Sequence, residues 1–328
     1  MSSSFTVTLH GVRGSLPTPH SPAYLACQGK EILEQFFDKG FSEKKDIQNF
    51  LNQLPPYFLS GWGGNTMCAE INAGSDNFII DAGSGIRTPG TALCSGPAGK
   101  GKGVMHIFMT HLHWDHLLGL PFFKPVFING NIIHMYAVQD ELEEAVTLLF
   151  KRPCFPVAFK DLGAKILFHS LKPREAYRFG NTHITPYRLD HPDPCWGFLI
   201  EHGGKAYAHC VDTECKRNNA ETIGEDAPLY TQASVVLFDA QYSLLESLDK
   251  VDWGHATAHK GMKLAADFQI PQIIFTHHDP FASDENIARA EREAAEYYKL
   301  LNKNAREFGS PPASFKWSFA REGTVIDI

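Results

Sequence analysis

The chain has 328 residues, 43% hydrophobic and 20% charged, enough apolar material for one large core or two small ones. Its formal net charge of −7 excludes a global basic field that would draw in long nucleic acid, although a local basic patch escapes such a sum. No apolar run approaches a membrane span, and the opening MSSSFTVTLHG lacks a signal-peptide core.

In chain order, short apolar runs predict strands at 5–9, 67–72, 78–81, 104–110, 132–138 and 165–169. Further strands are expected at 183–189, 197–202, 205–210, 235–239, 272–276 and 314–319. Helical periodicity falls at 23–38, 43–53, 139–150, 257–268 and 284–308, with Ser42 and Ser283 placed to cap the second and last. The segment CSGPAGKGKG at 94–103 reads as loop. Strands early and late, with helices between, predict an α/β chain of two sheets packed face to face between helical layers. No repeat and no long linker interrupts it, so residues 1–328 are expected to form a single domain. A helical insertion at about 20–62 carries FF, F and YF clusters, which on a helix are more often core than a binding face.

The seven cysteines are odd in number and contain no CxxC pair, which suits reduced thiols in a cytoplasmic protein. Cys210 stands two residues before a candidate ligand and reads mainly as a small buried thiol.

The segment THLHWDH at 110–116 carries the chemistry. It sets His111, His113, Asp115 and His116 on the loop leaving a buried strand. Three imidazoles and a carboxylate suit borderline divalent ions, zinc first, with manganese or iron also compatible. A short loop aims its side chains in different directions, so two neighbouring ions fit better than one. His111 and His113 would serve the first ion, and Asp115 and His116 the second. A His-rich surface loop is the plain alternative, and the flanking strand and Gly119 argue against it.

Other segments follow in a fixed order: LHGVRGSLPTP (9–19), GGNTMCAEI (63–71), FIIDAGSGIR (78–87), RLDHPDPCWGFLIE (188–201), AHCVDT (208–213), FDAQY (238–242) and GHATAHKGMKLAADFQIPQIIFTHHDP (254–280). Together with THLHWDHLLGLP the set resembles the metallo-β-lactamase superfamily. The GHAT segment paired with a downstream THHDP resembles its ribonuclease Z and phosphodiesterase side. The resemblance implies a four-layer αββα sandwich. It also implies that His191 joins His111 and His113, that His277 joins Asp115 and His116, and that Asp212 bridges both ions. His278, directly after His277, leaves that last assignment open. Asp81, at the end of an apolar strand, is read as the acceptor that holds a ligand histidine.

By the same resemblance His255 is the general acid, with Asp239 as its partner; a histidine merely near a helix start is the alternative. Arg13, Ser15, Asn65 and Thr66 lie in Gly-rich turns, with phosphate contact and a structural role left equally open for Arg13. The expected activity is that of a metal-dependent hydrolase cleaving small phosphodiesters such as cyclic nucleotides. A hydroxide activated between two ions would attack, Asp115 would take a proton as well as ligate, and His255 would protonate the leaving group. The stretch 138–183 offers no obvious tRNA-gripping arm, so extended nucleic acid is disfavoured as a partner, and a homodimer stays open. The rival readings are a lactone or ester metallohydrolase, a ribonuclease acting on RNA 3′ ends, and a non-catalytic sensor that keeps the fold.

Overall fold

Residues 4–309 and 311–328 are described in the computed structural model; the first three residues of the opening segment lie outside them. Alternation decides the first strand, β1 (Phe5–Gly11), in which every second residue from Phe5 is buried and those between are half-buried. It is followed by β2 (Cys68–Ala73), β3 (Asp76–Ile80), β4 (Val104–Phe108), β5 (Ile132–Ala137), β6 (Lys165–Ser170) and β7 (Tyr177–Phe179). The second half supplies β8 (Thr182–Arg188), β9 (Trp196–His202), β10 (Lys205–Cys210), β11 (Val235–Asp239), β12 (Gln272–Thr276), β13 (Lys316–Phe319) and β14 (Val325–Asp327).

These strands form two seven-stranded sheets, ordered β14-β1-β2-β3-β4-β5-β6 and β13-β12-β11-β10-β9-β8-β7. Each is mixed. Strands β3 to β6 run parallel, as do β10 to β13, while the remaining pairings are antiparallel. Between the sheets lie Phe78, Phe108, Phe198, Tyr207, Leu237 and Ile274. The outer face of the first sheet packs Ile107 and Met135 against Val146 of the helix Leu142–Leu149. The outer face of the second packs Phe238 and Phe275 against Met262 of Ala258–Asp267 and Ile287 of Asp284–Glu307. Covering both faces is what parallel strands require, and it produces the four-layer αββα sandwich. The parallel strands all end at one rim, where open α/β sheets place their ligands.

Side-chain caps open the three longest helices, Pro22–Asp38, Ala258–Asp267 and Asp284–Glu307. Ser283 accepts from the Asn286 N–H, as its position predicts, and Thr257 accepts from that of Lys260. The helix expected at 43–53 is instead a 3₁₀ turn, Lys44–Asp46, running into Ile47–Leu51. Its entry is closed by the Glu43 N–H donating to Asp46 Oδ2 at 3.3 Å, so Glu43 and not Ser42 occupies the cap. Within the expected loop 94–103 a 3₁₀ turn, Pro97–Lys100, forms. Strand β4 stops at Phe108, two residues early, because the chain turns toward the rim there.

The helical segment between β1 and β2 stands off the sandwich. Its main helix, Pro22–Asp38, has no buried residue. Phe36, Phe41 and Phe50 pack on one another with ring centroids 5.3–5.8 Å apart, a private core for the segment. At its base Asp284 accepts from Tyr24 Oη at 2.9 Å and from the Trp62 N–H at 3.2 Å.

Phe78 tests the inter-sheet core away from the rim, touching Phe108 and Phe179 at 6.0 and 5.5 Å between ring centroids. Phe78→Ala should lower stability by about 3–5 kcal/mol in denaturant unfolding; a loss below about 1 kcal/mol would mean that the two sheets do not depend on this contact.

Candidate metal centre

The loop leaving β4 stays extended as far as His113 (φ −67°, ψ 155°), then makes a single helical turn, Trp114–Leu117. Residues two apart in an extended stretch share a side, so His111 and His113 point together, while the turn redirects Asp115 and His116. Left-handed backbone sets three more residues at strand ends. Asp81 after β3, Asp212 after β10 and His277 after β12 have φ of 62°, 64° and 65°. Asp and His tolerate this conformation better than most side chains, and it costs about 1–3 kcal/mol where it is imposed.

Four of the five histidines of the cluster have one nitrogen engaged away from it, His277 being the exception. His116 Nδ1 lies 2.8 Å from Asp81 Oδ2, with both side chains fully buried. His111 Nδ1 lies 3.1 Å from Thr110 Oγ1, which in turn donates to Asp81. His113 Nε2 lies 2.8 Å from Asp193 Oδ2, and His191 Nδ1 lies 3.1 Å from the Asp193 carbonyl. The opposite nitrogens converge. Ligand atoms of His111, His113 and His191 lie within 4.8 Å of one another, as do those of His111, His116 and Asp212, and those of Asp115, His116 and His277.

Asp212 Oδ2 is 3.0 Å from His116 Nε2 and 3.3 Å from His277 Nε2, and Asp115 Oδ2 is 3.3 Å from both nitrogens. Yet His111 Nε2, His116 Nε2, His277 Nε2 and Asp212 Oδ2, all buried, lack a hydrogen-bond partner. Leaving a buried polar atom unpaired costs about 1–3 kcal/mol. Divalent ions would satisfy all four at once, and the mixed imidazole and carboxylate set suits them. The charges agree. Burial opposes ionisation of Asp115 and Asp212, but the neighbouring His116 and His277 hold both carboxyls well below their usual range. Burial works against a charge on His116 too, and Asp115, Asp212 and Asp81 together hold its pKa well above the usual value, so these carboxylates demand positive charge that a bound cation would supply in place of that proton. Burial pushes His111 well down, leaving it neutral as a ligand must be.

His255 stands beside this cluster, its ring stacked on His277 with centroids 5.0 Å apart. Its Nδ1 lies 2.9 Å from Asp239 Oδ2. Asp239 also accepts the N–H groups of Asp212, Gln241 and Ala256, so the loops after β10 and β11 share one buried carboxylate. Burial alone would lower the His255 pKa, but Asp239 beside it, with Asp212 and Asp115 beyond, raises it to about 9. Gly254, at φ 89°, permits the approach: a Cβ there would lie 2.3 Å from the His191 ring.

Every expected site residue thus reaches the rim: His111, His113, Asp115, His116, His191, Asp212, Asp239, His255 and His277. His278 turns away. Its Nε2 lies 2.9 Å from the Ala320 carbonyl, its ring packs on Phe319, and burial drops its pKa to about 3. Arg13 is structural rather than a phosphate contact. It donates to the carbonyls of Gly63, Asp279 and Ala282 and lies 3.7 Å from Asp284 Oδ1, with only 2% of its surface exposed. Asn65 is held by Glu322, while Thr66 Oγ1 donates to the Asp115 carbonyl and the Ser15 N–H donates to Asp115 Oδ2. Cys210 lies in the apolar layer behind the second sheet, and all seven cysteines are free thiols. Thr110, Asp193 and Gly254 were not anticipated. A Pro-flanked Asp in HPDP was the one visible signal among them.

Residues 76–278, more than half of the chain, match the family described as Beta-lactamase superfamily domain, and the protein belongs to that family. With its ligand cluster, it is a metal-dependent hydrolase of that superfamily. The Ribonuclease Z of Bacteroides fragilis is 22% identical over 290 residues, covering 71% of this chain and 89% of that relative. Two solved structures share the fold. The metallo-β-lactamase fold protein YhfI of Bacillus subtilis has a TM-score of 0.62 at 15% identity, covering 99% of this chain and 100% of that one. Unliganded yeast PDE1 has a TM-score of 0.61 at 14% identity, again covering 99% and 100%. Among the described residues no helix is long and apolar enough to cross a membrane.

Asp81 orients His116 from a fully buried position. Asp81→Asn should weaken divalent-metal affinity by about 10–100-fold in a chelator competition assay; unchanged affinity would assign Asp81 to the turn alone.

Proposed function

We propose that the protein is a phosphodiesterase acting on small phosphodiesters, with cyclic nucleotides as the type substrate. The observation that carries this reading is the His255–Asp239 pair, 2.9 Å apart, standing on the edge of a cluster suited to two ions. In this reading His111, His113 and His191 would hold one ion, Asp115, His116 and His277 the other, and Asp212 would serve both. The ions, zinc first with manganese or iron as alternatives, would supply Lewis acidity and an activated water near neutral pH. Asp115, which also accepts the Ser15 N–H, is placed to take up a proton. His255 keeps its Nδ1 on Asp239 and gives the proton on Nε2 to the departing alkoxide, which is too basic to leave unaided.

Charge around the site favours a small substrate. Lys216 and Lys250 pair with Glu214 and Asp279 at 3.2 and 3.4 Å, and Arg217 is shared by Asp190 and Asp226. Arg13 is buried as well, so these four cations are already matched by the protein's own groups and not left for a long polyanion. The second reading is a ribonuclease, favoured by the similarity to a protein named Ribonuclease Z. It weighs against the expectation that extended nucleic acid is disfavoured, and an unstructured or tRNA-like RNA belongs in the substrate panel.

Elemental analysis of the zinc-loaded protein should find two ions per chain; fewer than one would favour a binding module that has kept only the fold. His255→Gln should slow cleavage of a cyclic nucleotide by about 10²–10⁴-fold, yet barely affect bis-para-nitrophenyl phosphate, whose phenolate leaves without a proton. Equal losses on both substrates at unchanged metal content would remove His255 from the acid role. The raised His255 pKa keeps the proton on at neutral pH and releases it as pH rises through about 9, or lower once cations lie nearby. Wild-type activity on the cyclic nucleotide should therefore fall on the alkaline side, and this limb should vanish in His255→Gln. Hydrolysis of a lactone with no diester cleavage would overturn the reading altogether.

A further inference from the structure

The two groups of ligands are held in unequal ways. His116 leans on Asp81, which is wholly buried, and His277 lies 3.6 Å from Asp239, which is wholly buried as well. In the outer group, His111 rests on the buried Thr110, while His113 and His191 lean on Asp193. That carboxylate is 67% exposed, and its partner His113 is 43% exposed. Asp193 nevertheless engages two of the three outer histidines at once. Its Oδ2 lies 2.8 Å from His113 Nε2, and its carbonyl lies 3.1 Å from His191 Nδ1.

Both contacts take the nitrogen facing away from the cluster. A carboxylate accepting Nε2–H fixes His113 in the tautomer whose Nδ1 lone pair is free, while Nδ1 of His191 meets both the carbonyl and the N–H of Asp193, at 3.1 and 3.3 Å, which directs its Nε2 the other way. Pro192 and Pro194 flank Asp193 and restrict its backbone. Gln139 Nε2 donates to the carbonyls of Pro194 and Thr110, tying this loop to the strand end that carries His111.

We infer that Asp193 is a positioning residue that sets the affinity of the outer ion, making this ion the exchangeable member of an unequal pair. The inference rests on the ligand assignment proposed above. An exposed ion pair is screened by water and salt, so it holds its imidazole less firmly than a buried carboxylate does. The outer ion therefore equilibrates with the medium while the inner ion stays.

Zinc titration of the full-length metal-free protein against a chromophoric chelator tests this, with cobalt absorption as a second readout. The wild type should show two classes of site. Asp193→Ala should weaken only the weaker class, by about 10–100-fold, and alter the cobalt spectrum of that ion alone. Asp193→Asn, whose amide oxygen still accepts Nε2–H, should recover most of the affinity, which a packing effect would not do. Metal-free wild type and variants should melt at the same temperature. Equal weakening of both classes, no weakening, or a lower melting temperature in the metal-free variant would each overturn the inference. A wild type that binds no ion would sink the ligand assignment as well. Two indistinguishable sites in an active wild type would sink the unequal pair alone.

Discussion

Negative charge buried at one edge of the sandwich is the constraint on which the rest depends. Asp81, Asp115, Asp212 and Asp239 are all nearly or wholly withdrawn from water, within a few side chains of one another. Isolated carboxylates cannot be buried in this way without protonating or finding cations. Here they face imidazoles, several of whose atoms have no partner inside the protein. The arrangement makes physical sense as the inner lining of a cationic centre, and the architecture around it follows. The parallel strands must end at a common rim, and both sheets must be covered by helices. The loops leaving the strands must be pinned by backbone hydrogen bonds rather than by packing.

A left-handed residue at the end of β3, of β10 and of β12 recurs as the local device. Each reverses the chain within one step of a rigid strand, so the side chain is delivered from a fixed platform and not from a flexible loop. Asp239 adds a second economy of position. Its two oxygens take three backbone N–H groups and one imidazole, so the Asp212 turn, the Gln241 turn and His255 cannot move independently. The placement of Asp212 and that of His255 are coupled through that one carboxylate.

The sequence carried much of this because the rim is written in contiguous segments. THLHWDH has its spacing imposed by a strand followed by one helical turn, and both patterns are local. Strands β11 and β12 were likewise legible as apolar runs bounded by polar residues. The choice between His277 and His278 was not legible, since it turns on backbone conformation. The His278 N–H pairs with the Val12 carbonyl, and the His278 carbonyl takes the Gly14 N–H, so its ring is carried behind the rim. The three-residue strands β7 and β14 have too little length for a pattern. Asp193 and Arg13 were opaque for a different reason. Their meaning lies in partners such as His113, 80 residues away, and Ala282, 269 residues away.

Those long separations have a consequence for synthesis. Arg13 can place the loop bearing Gly14 and Ser15 only after the segment with Asp279, Ala282 and Asp284 has been made. A chain emerging from the ribosome presents the three histidines of the outer group once residue 191 is exposed, whereas the inner group waits for His277. Contacts of such long range close last, and until then the early carboxylates stay open to water. Assembly of the buried half of the cluster is thereby tied to completion of the C-terminal third, because His277 is made last among its members.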